Sequence, residues 1–372
     1  MFADPNQILN RQANPNAFDH HKLKSPRYPL HFDDYSELLS SVVSLFKKQT
    51  NYDCMPTSSK VMVFDMDLPI REAFSIAARN DIVFATLWDS TKSQLVGMLT
   101  VTDLIDLLIH FHDQTNVIQE IITHKRIREW REMQNRTRPT FLVATTPSDT
   151  LWEAIELMQF KKIHRLPVIS SKGALLHIIT HSHLLAHLVQ NVSFDAPVFR
   201  YSIEELGLGT YSNIVTMTRD TKVYEAVCVF AKRKVSAIPI VDNDGIVIDV
   251  FSRYDIVYIV RDHGDYHLDL TLAEALKMKP KIPVFTCTKT ESFEKVLRHL
   301  ASTRIHRLVC IDDDSKVVGI VSISDIFNFF MKAKVVGNDD EAMMSRSNSH
   351  TDVMFDDTLS EDLNLMADDN MF

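Results

Sequence analysis

Four stretches of the chain repeat one pattern of apolar and polar positions. Aligned on Ile82, Ile163, Val235 and Ile305, they stand 81, 72 and 70 residues apart. Each anchor closes a segment with apolar residues three and four apart, the mark of an amphipathic helix. The four segments are LPIREAFSIAARNDI, DTLWEAIELMQFKKI, TKVYEAVCVFAKRKV and ESFEKVLRHLASTRI, with Ala73, Ala154, Ala226 and Val296 nine positions before the anchors. After the anchor comes a short apolar run, a polar turn (STKSQ, SSKG, DNDG, DDDSK) and a second apolar run. That order predicts two strands joined tightly. A polar tetrapeptide then opens a second helix. Each unit therefore reads β-α-β-β-α over roughly 60 residues, a supersecondary unit too small to bury its sheet face alone. Four of them predict an α/β (α+β) fold of two mated pairs, packed sheet to sheet.

The units fall at residues 45–110, 122–190, 203–262 and 272–332. Residues 1–38 mix Asn, Pro, His, Asp and Lys without apolar period and read as a flexible arm. Residues 335–372 hold ten acids and a single base, Arg346, which equals the net charge of −9 for the whole chain. The body is thus neutral and carries no charge-based preference for nucleic acid, while the tail is self-repelling and read as disordered.

Composition removes several function classes. Glycine is scarce at 8 of 372 residues, well under the usual share of about 7%. Neither GxxxxGK[ST] nor GxGxxG occurs, so the common Gly-rich phosphate cradles are missing. Cys54, Cys228, Cys287 and Cys310 are far apart and form no CxxC, which argues against a disulfide framework or a cysteine zinc site and fits a reducing compartment. No apolar run reaches membrane-spanning length and the N-terminus lacks an apolar signal core, so a cytoplasmic location, with the nucleus also open to the chain, is the expectation. The nucleophile-elbow, kinase and HExxH signatures are absent, so no catalytic carrier is visible and the expectation is a non-enzyme.

Two repeated features carry chemistry. The tetrapeptides are Thr100-Val101-Thr102-Asp103, Thr180-His181-Ser182-His183, Ser252-Arg253-Tyr254-Asp255 and Ser322-Ile323-Ser324-Asp325. A hydroxyl residue followed three positions later by Asp is a helix cap. An Asp there is equally suited to accept both hydroxyls of a ribose, with the free N–H groups of the helix start facing phosphate or a base edge. Asp103, Asp255 and Asp325 keep the acid; His183 cannot act as an acceptor-only bidentate partner. The second feature is His164-Arg165 and His306-Arg307 at the strand start. Either these pairs solvate the strand ends, or symmetry brings them to a common centre where the Arg forks face phosphate.

Two further clusters carry less. The histidines of His181-x-His183-x3-His187 offer a zinc pair without an evident third ligand. Asp242-Asn-Asp-Gly245 resembles the start of a calcium loop but sits where each repeat needs its hairpin turn.

Several separated stretches carry a family resemblance: Tyr52-Asp-Cys-Met-Pro-Thr-Ser-Ser-Lys60 running into VMVFD, LWDSTKSQLVGMLTVTD, Trp130-Arg-Glu132, Lys162-Ile-His-Arg-Leu-Pro167, Gly209-Thr-Tyr211, and Arg304-Ile-His-Arg-Leu308 leading to GIVSISD. The unit resembles the cystathionine-β-synthase (CBS) domain. Four in series, over about residues 45–332, resemble the gamma subunits of AMP-activated protein kinases. The resemblance implies four CBS domains paired into two Bateman modules, with AMP, ADP or ATP as ligands and the kinase alpha and beta subunits as partners. It implies neither a nucleic-acid nor a membrane partner. It carries over as nucleotide contacts Met98, Leu99 and the first tetrapeptide, Val143, His164, Arg165, Thr210, Val215, Val235, Ser236, the third tetrapeptide, His306, Arg307 and the fourth tetrapeptide. Val101, Val143, Val215 and Ile323 would wall the adenine. The stretch from about Leu45 to Phe64 would add a strand beside the beta subunit.

Departures from the family pattern narrow this expectation. Val83 and Ser182 stand where the family has an arginine and a lysine, Lys234 and Lys279 replace arginines, and Thr86 replaces a proline. Each lost charged hydrogen bond is worth about 1.5–3 kcal/mol. The crevice with Asp325, His164, Thr210 and Ser322 is therefore expected to be the best retained, and those with Asp103 and Asp255 to be weakened.

Overall fold

The computed structural model describes residues 32–331, apart from residues 59, 81–83, 111–120, 122, 123, 136–141 and 264–267. Ile82, Val83 and the acidic tail lie outside the described residues, as does most of the N-terminal arm. The described chain begins with α1 (Phe32–Lys48). The arm reading for residues 1–38 therefore gives way to helix from Phe32 onward. Val42 and Phe46, four residues apart, are wholly buried on one face of α1, and that anchorage orders the segment.

The first unit contains β1 (Val63–Asp65), α2 (Ile70–Arg79), β2 (Phe84–Asp89), β3 (Gln94–Thr100) and α3 (Val101–His110), followed by a connecting α4 (Ile127–Asn135). The second has α5 (Leu151–Phe160), β4 (Arg165–Ile169), β5 (Leu175–Thr180) and α6 (His181–Asn191). The third has α7 (Val223–Arg233), β6 (Ala237–Val241), β7 (Val247–Ser252) and α8 (Ile256–His263), then a connecting α9 (Leu272–Met278). The fourth has β8 (Thr286–Cys287), α10 (Phe293–Thr303), β9 (Arg307–Ile311), β10 (Val317–Ser322) and α11 at residues 323–331.

All four expected hairpins are antiparallel pairs, each with one register shift near the turn. Asp242 makes the third turn: its Oδ1 accepts from the N–H groups of Asp244 (3.0 Å) and Ile246 (2.9 Å), and Gly245 takes φ +84°. An Asx turn accounts for this motif. The lead-in strand forms in units one and four (β1, β8) and shrinks to a single parallel bridge in units two and three, Thr145 to Val168 and Met217 to Ile240. The helix before each of the last three anchors ends in a left-handed residue: Lys162, Lys234 and Arg304 have φ of 53°, 54° and 55°. This position reverses the chain into the strand, and a side chain there costs about 1–2 kcal/mol.

The apolar interior cuts across chain order. One buried cluster joins α5, α6 and β4 of the second unit to α10, β9 and α11 of the fourth, with α1 packed against it. The other joins α2, β2 and α3 of the first unit to α7, β6 and α8 of the third. The helices carry these unions: α3 meets α7, α8 meets α2, and α6 meets α10. Backbone bridges run the other way, joining first to second (Thr50 to Thr150) and third to fourth (Ser202 to Ser292, Thr210 to Ile320, Ile246 to Lys316). Each unit is thus held by polar backbone to its neighbour in sequence and by apolar helix faces to the unit two places away. Tight backbone approach at Thr210 to Ile320 depends on Gly319: a Cβ there would lie 2.7 Å from Cε1 of Tyr211 and 2.9 Å from the Thr210 carbonyl.

Candidate functional site

The four tetrapeptides fold as helix starts. In three of them the acid turns back onto the first residue. Oδ2 of Asp103 accepts from the Thr100 N–H (2.7 Å) and hydroxyl (3.0 Å). Oδ2 of Asp255 accepts from the Ser252 N–H (2.7 Å). Oδ2 of Asp325 accepts from the Ser322 N–H (2.8 Å) and hydroxyl (2.7 Å). The capping role is therefore real in all three units and uses one carboxylate oxygen. What the other oxygen meets separates them.

In the first unit, Oδ1 of Asp103 is 2.8 Å from Nη1 of Arg131 on α4, with both side chains nearly buried at 11% and 8% exposed. The same guanidinium donates through Nη2 to the Met98 carbonyl. A separate apolar cavity bordered by Phe64, Phe74, Phe84, Leu99 and Val101 holds about 10 Å³, no more than one water needs. In the third unit, Nζ of Lys279 lies 2.9 Å from Oδ1 of Asp249 and 3.9 Å from Oδ2 of Asp255. It also donates to the Val250 carbonyl at 2.7 Å. Burial raises the Asp255 pKa, with Lys279 opposing. In the fourth unit no basic side chain among the described residues comes within ion-pair distance of Asp325. In the second, the His183 ring stacks on His177 at 5.2 Å between centroids.

His164, Arg165, His306, Tyr254, Ser182 and Ser324 converge from three units. Nδ1 of His164 is 3.0 Å from Nδ1 of His181 and 3.5 Å from the Ser324 hydroxyl. The Ser182 hydroxyl is 3.2 Å from Nδ1 of His306, so the residue standing in for the family's lysine is turned into this cluster. Arg165 donates to the Tyr254 hydroxyl at 3.0 Å and lies over the rings of Phe84 (4.3 Å) and Tyr254 (5.3 Å), tying the second unit to the first and third. The Nε atoms of Arg165 and Arg307 are shielded from solvent and donate to no group among the described residues. Arg253 is spent on structure: its Nε donates to the Val235 carbonyl (2.8 Å) and its Nη2 to the Phe230 carbonyl (3.2 Å).

This centre holds more cations than acids: Arg165, Arg253 and Arg307 gather there, with Asp255 acting on Arg307 and Asp106 on Arg253. Desolvation and the fields of Arg165, Arg253 and Arg307 push His164 down to about 4. Desolvation and the fields of Arg307, Arg165 and His164 push His306 down to about 3. His181, buried behind them, is held at about 3 mainly by desolvation. Desolvation lowers Arg307 as well, opposed by the fields of Tyr254 and Asp255 and aided by Arg253. Neutral histidines beside cations with unspent N–H groups can receive an anion through charge-assisted hydrogen bonds.

The remaining candidates are spread more widely. Val101 and Ile323 are core residues, 5% and 2% exposed. Val143, Val215 and Val235 are half-buried at the edges of the two cores. Thr210 is exposed and pairs backbone to backbone with Ile320 (2.9 Å both ways), which sets it beside β10 and the fourth tetrapeptide. The carbonyl of Ser236 accepts from Arg253 N–H (3.1 Å). Leu99 is buried and Thr102 exposed. Sequence reasoning missed Arg131, His181 and Phe84 as parts of these sites. Of the His181-His183-His187 cluster, His187 Nε2 is 2.7 Å from Gln49 Oε1. No metal-holding group of His, Cys, Asp or Glu occurs among the described residues.

Four repeated units around a shared cationic centre, three of them with an acid at the start of the second helix, define a tandem-repeat α/β protein. The CBS-domain model matches residues 52–110, 140–190, 208–262 and 269–332, and the chain belongs to the CBS-domain family. It is similar to the 5'-AMP-activated protein kinase subunit gamma-3 of Bos taurus, with 38% identity over 290 residues, 75% of this chain and 58% of that protein. The human gamma-3 subunit is 37% identical over 289 residues, 75% of this chain and 58% of that protein. The gamma subunit of Dictyostelium discoideum is 34% identical over 303 residues, 78% of this chain and 52% of that protein. The chain therefore spans little more than half of these relatives. Among solved structures, protein MJ1225 from Methanocaldococcus jannaschii superimposes with a TM-score of 0.61 at 15% identity, covering 76% of this chain and 99% of that one, which shows the fold. No helix among the described residues is long and apolar enough to cross a membrane.

Proposed function

We propose that this chain is a non-catalytic regulatory subunit of an AMP-activated protein kinase heterotrimer, partnered by a catalytic alpha and a scaffolding beta subunit. It senses adenine nucleotide at one principal crevice, that of the fourth unit. The carrying observation is the difference among three acids: Asp325 keeps an oxygen clear of any described cation, whereas Asp103 is closed by Arg131 and Asp255 shares Lys279. Ser324 and His164 sit beside it, and the unspent donors of Arg165 and Arg307 suit a phosphate. AMP, ADP and ATP share the ribose and differ in anionic charge, so a centre with more cations than acids weights them differently. Such differential affinity is what shifts a complex between two arrangements.

Calorimetric titration of the purified chain with AMP and ATP tests the reading. One dominant site per chain, weakened on Asp325→Ala, is expected; three equal sites would refute it. Co-expression with alpha and beta subunits and recovery of a ternary complex tests the partner assignment, and fluorescence microscopy tests the cytoplasmic and nuclear placement.

A second reading has its own support: the acid of the first crevice is paired within the chain. A gamma-like scaffold that no longer senses nucleotide would behave this way in every unit. Absence of any AMP- or ATP-dependent rise in unfolding temperature, with ternary assembly intact, would favour it.

A further inference from the structure

Cys287 and Cys310 oppose each other across the sheet of the fourth unit. They are register partners in the parallel pairing of β8 with β9, and both are buried, at 2% and 0% exposed. Facing residues on neighbouring strands project to the same side from backbones about 4.8 Å apart. That separation falls inside the roughly 4.4–6.8 Å that a disulfide spans between Cα atoms. Both are free thiols in this structure.

The pair is chemically unequal. The neighbouring Cys310 sulfur, together with burial, drives the Cys287 thiol up. The Cys287 sulfur in turn lowers Cys310 against the pull of burial. The pair therefore gives up a first proton more readily than a second. The other two cysteines lack such a partner thiol, and burial raises both, Cys54 to about 11.

One of the two strands that carry the pair is short and at the sheet edge. β8 has two residues and lies outermost in the order β10-β9-β8. Short edge strands belong to the part of a fold that opens locally at low free energy, so the sulfurs are reachable without global unfolding.

We propose that Cys287 and Cys310 are a modification site, a dithiol that a small hydroperoxide converts into an intrachain disulfide. Cys310 thiolate attacks the terminal peroxide oxygen; the O–O bond breaks, a sulfenic acid forms, and the leaving alkoxide or hydroxide takes a proton. Cys287 sulfur, after yielding its proton, attacks the sulfenic sulfur; the S–S bond forms and the S–OH group leaves as water. The two thiols lose two electrons and two protons, and the hydroperoxide is reduced to an alcohol and water (two waters from hydrogen peroxide). A dithiol reductant reverses the bond by exchange. The product staples the edge strand beneath Tyr211, whose phenol is raised mainly by burial with both cysteines contributing and whose ring packs on Gly319 beside the fourth crevice.

The test treats the reduced full-length protein with hydrogen peroxide, alkylates it under denaturing conditions and maps the peptides by mass spectrometry. The expected product joins the Cys287 and Cys310 peptides, is lighter by two hydrogens than their sum, and disappears on reduction with dithiothreitol. Cys287→Ala should stop the reaction at a sulfenic acid on Cys310 that dimedone traps. Should that variant fail to fold, the wild-type kinetics decide alone: joining must be several-fold faster in the folded chain than in the chain unfolded with urea. Equal rates, or full alkylation of both residues once Cys54 and Cys228 are oxidised, would overturn the proposal.

Discussion

The guanidinium of Arg131 closes on the carboxylate of Asp103, with Nη1 to Oδ1 at 2.8 Å and both side chains nearly out of solvent. The pair joins a connecting helix to the cap of α3. It occupies the acceptor that a sugar would need.

Breaking this pair from one side should be expensive. Arg131→Ala strands a buried carboxylate, and the expected loss is about 3–5 kcal/mol, read as a lower urea midpoint. The double change Arg131→Met with Asp103→Leu should recover most of that loss, because an apolar pair of similar volume carries no desolvation penalty.

Asp325 serves both a cap and, on the proposed reading, a ribose. Asp325→Ala should weaken AMP binding by about tenfold to a hundredfold, the equivalent of about 1.5–3 kcal/mol. It should also cost about 1 kcal/mol of stability through the lost cap. Calorimetry and denaturant titration separate the two effects. Ser322→Ala, which removes one donor to the carboxylate, should show the stability effect with a smaller change in affinity.

Arg307 presents a shielded Nε with no hydrogen-bond partner among the described residues. Arg307→Met should raise the unfolding temperature of the ligand-free chain by relieving charge crowding. The same change should abolish most of the AMP-dependent rise. A fall in ligand-free stability would show that Arg307 is held by contacts unrelated to an anion.

The histidines set a pH window. His164, His306 and His181 have folded-state values of about 4, 3 and 3, against about 6.5 in an unfolded chain. The unfolded state therefore binds more protons between those limits, so stability rises with pH there. It is fully present above about pH 6.5 and is lost as pH falls through the window toward 4. Unfolding midpoints measured from pH 8 to 4.5 should decline below about 6.5, and His306→Gln should flatten the decline.

Gly319 permits the close approach of β10 to the Tyr211 segment. Gly319→Ala should cost about 1–3 kcal/mol through overpacking, because the new methyl meets both a ring and the Thr210 carbonyl. A urea midpoint unchanged from the parent would contradict this.

Much of the fold is legible in the sequence because its devices are local. Helix periodicity before Ile163, Val235 and Ile305, the Asp242 turn and the Ser322 to Asp325 cap each lie within a few residues. Long-range choices are not written that way. An amphipathic α3 announces that one face is covered; nothing in its period names α7 as the cover. Arg131 and Asp103 lie 28 positions apart on different helices, and no spacing rule links them. The opening of α1, Phe32-Asp33-Asp34, reads as polar arm because its anchors, Val42 and Phe46, come later. The site divides the same way: the caps are visible residue by residue, while the competition of Arg131 and Lys279 for two of the acids appears only in three dimensions.

The helix unions between first and third units, and between second and fourth, bear on how the molecule is made. When a ribosome has released the first two units, their α3 and α6 faces still await α7 and α10, which lie far downstream. The nascent amino-terminal half must travel with oily surfaces uncovered until the last helices emerge, so it is the half that should engage chaperones. Cutting the gene between the second and third units should give two insoluble fragments that dissolve only when co-expressed.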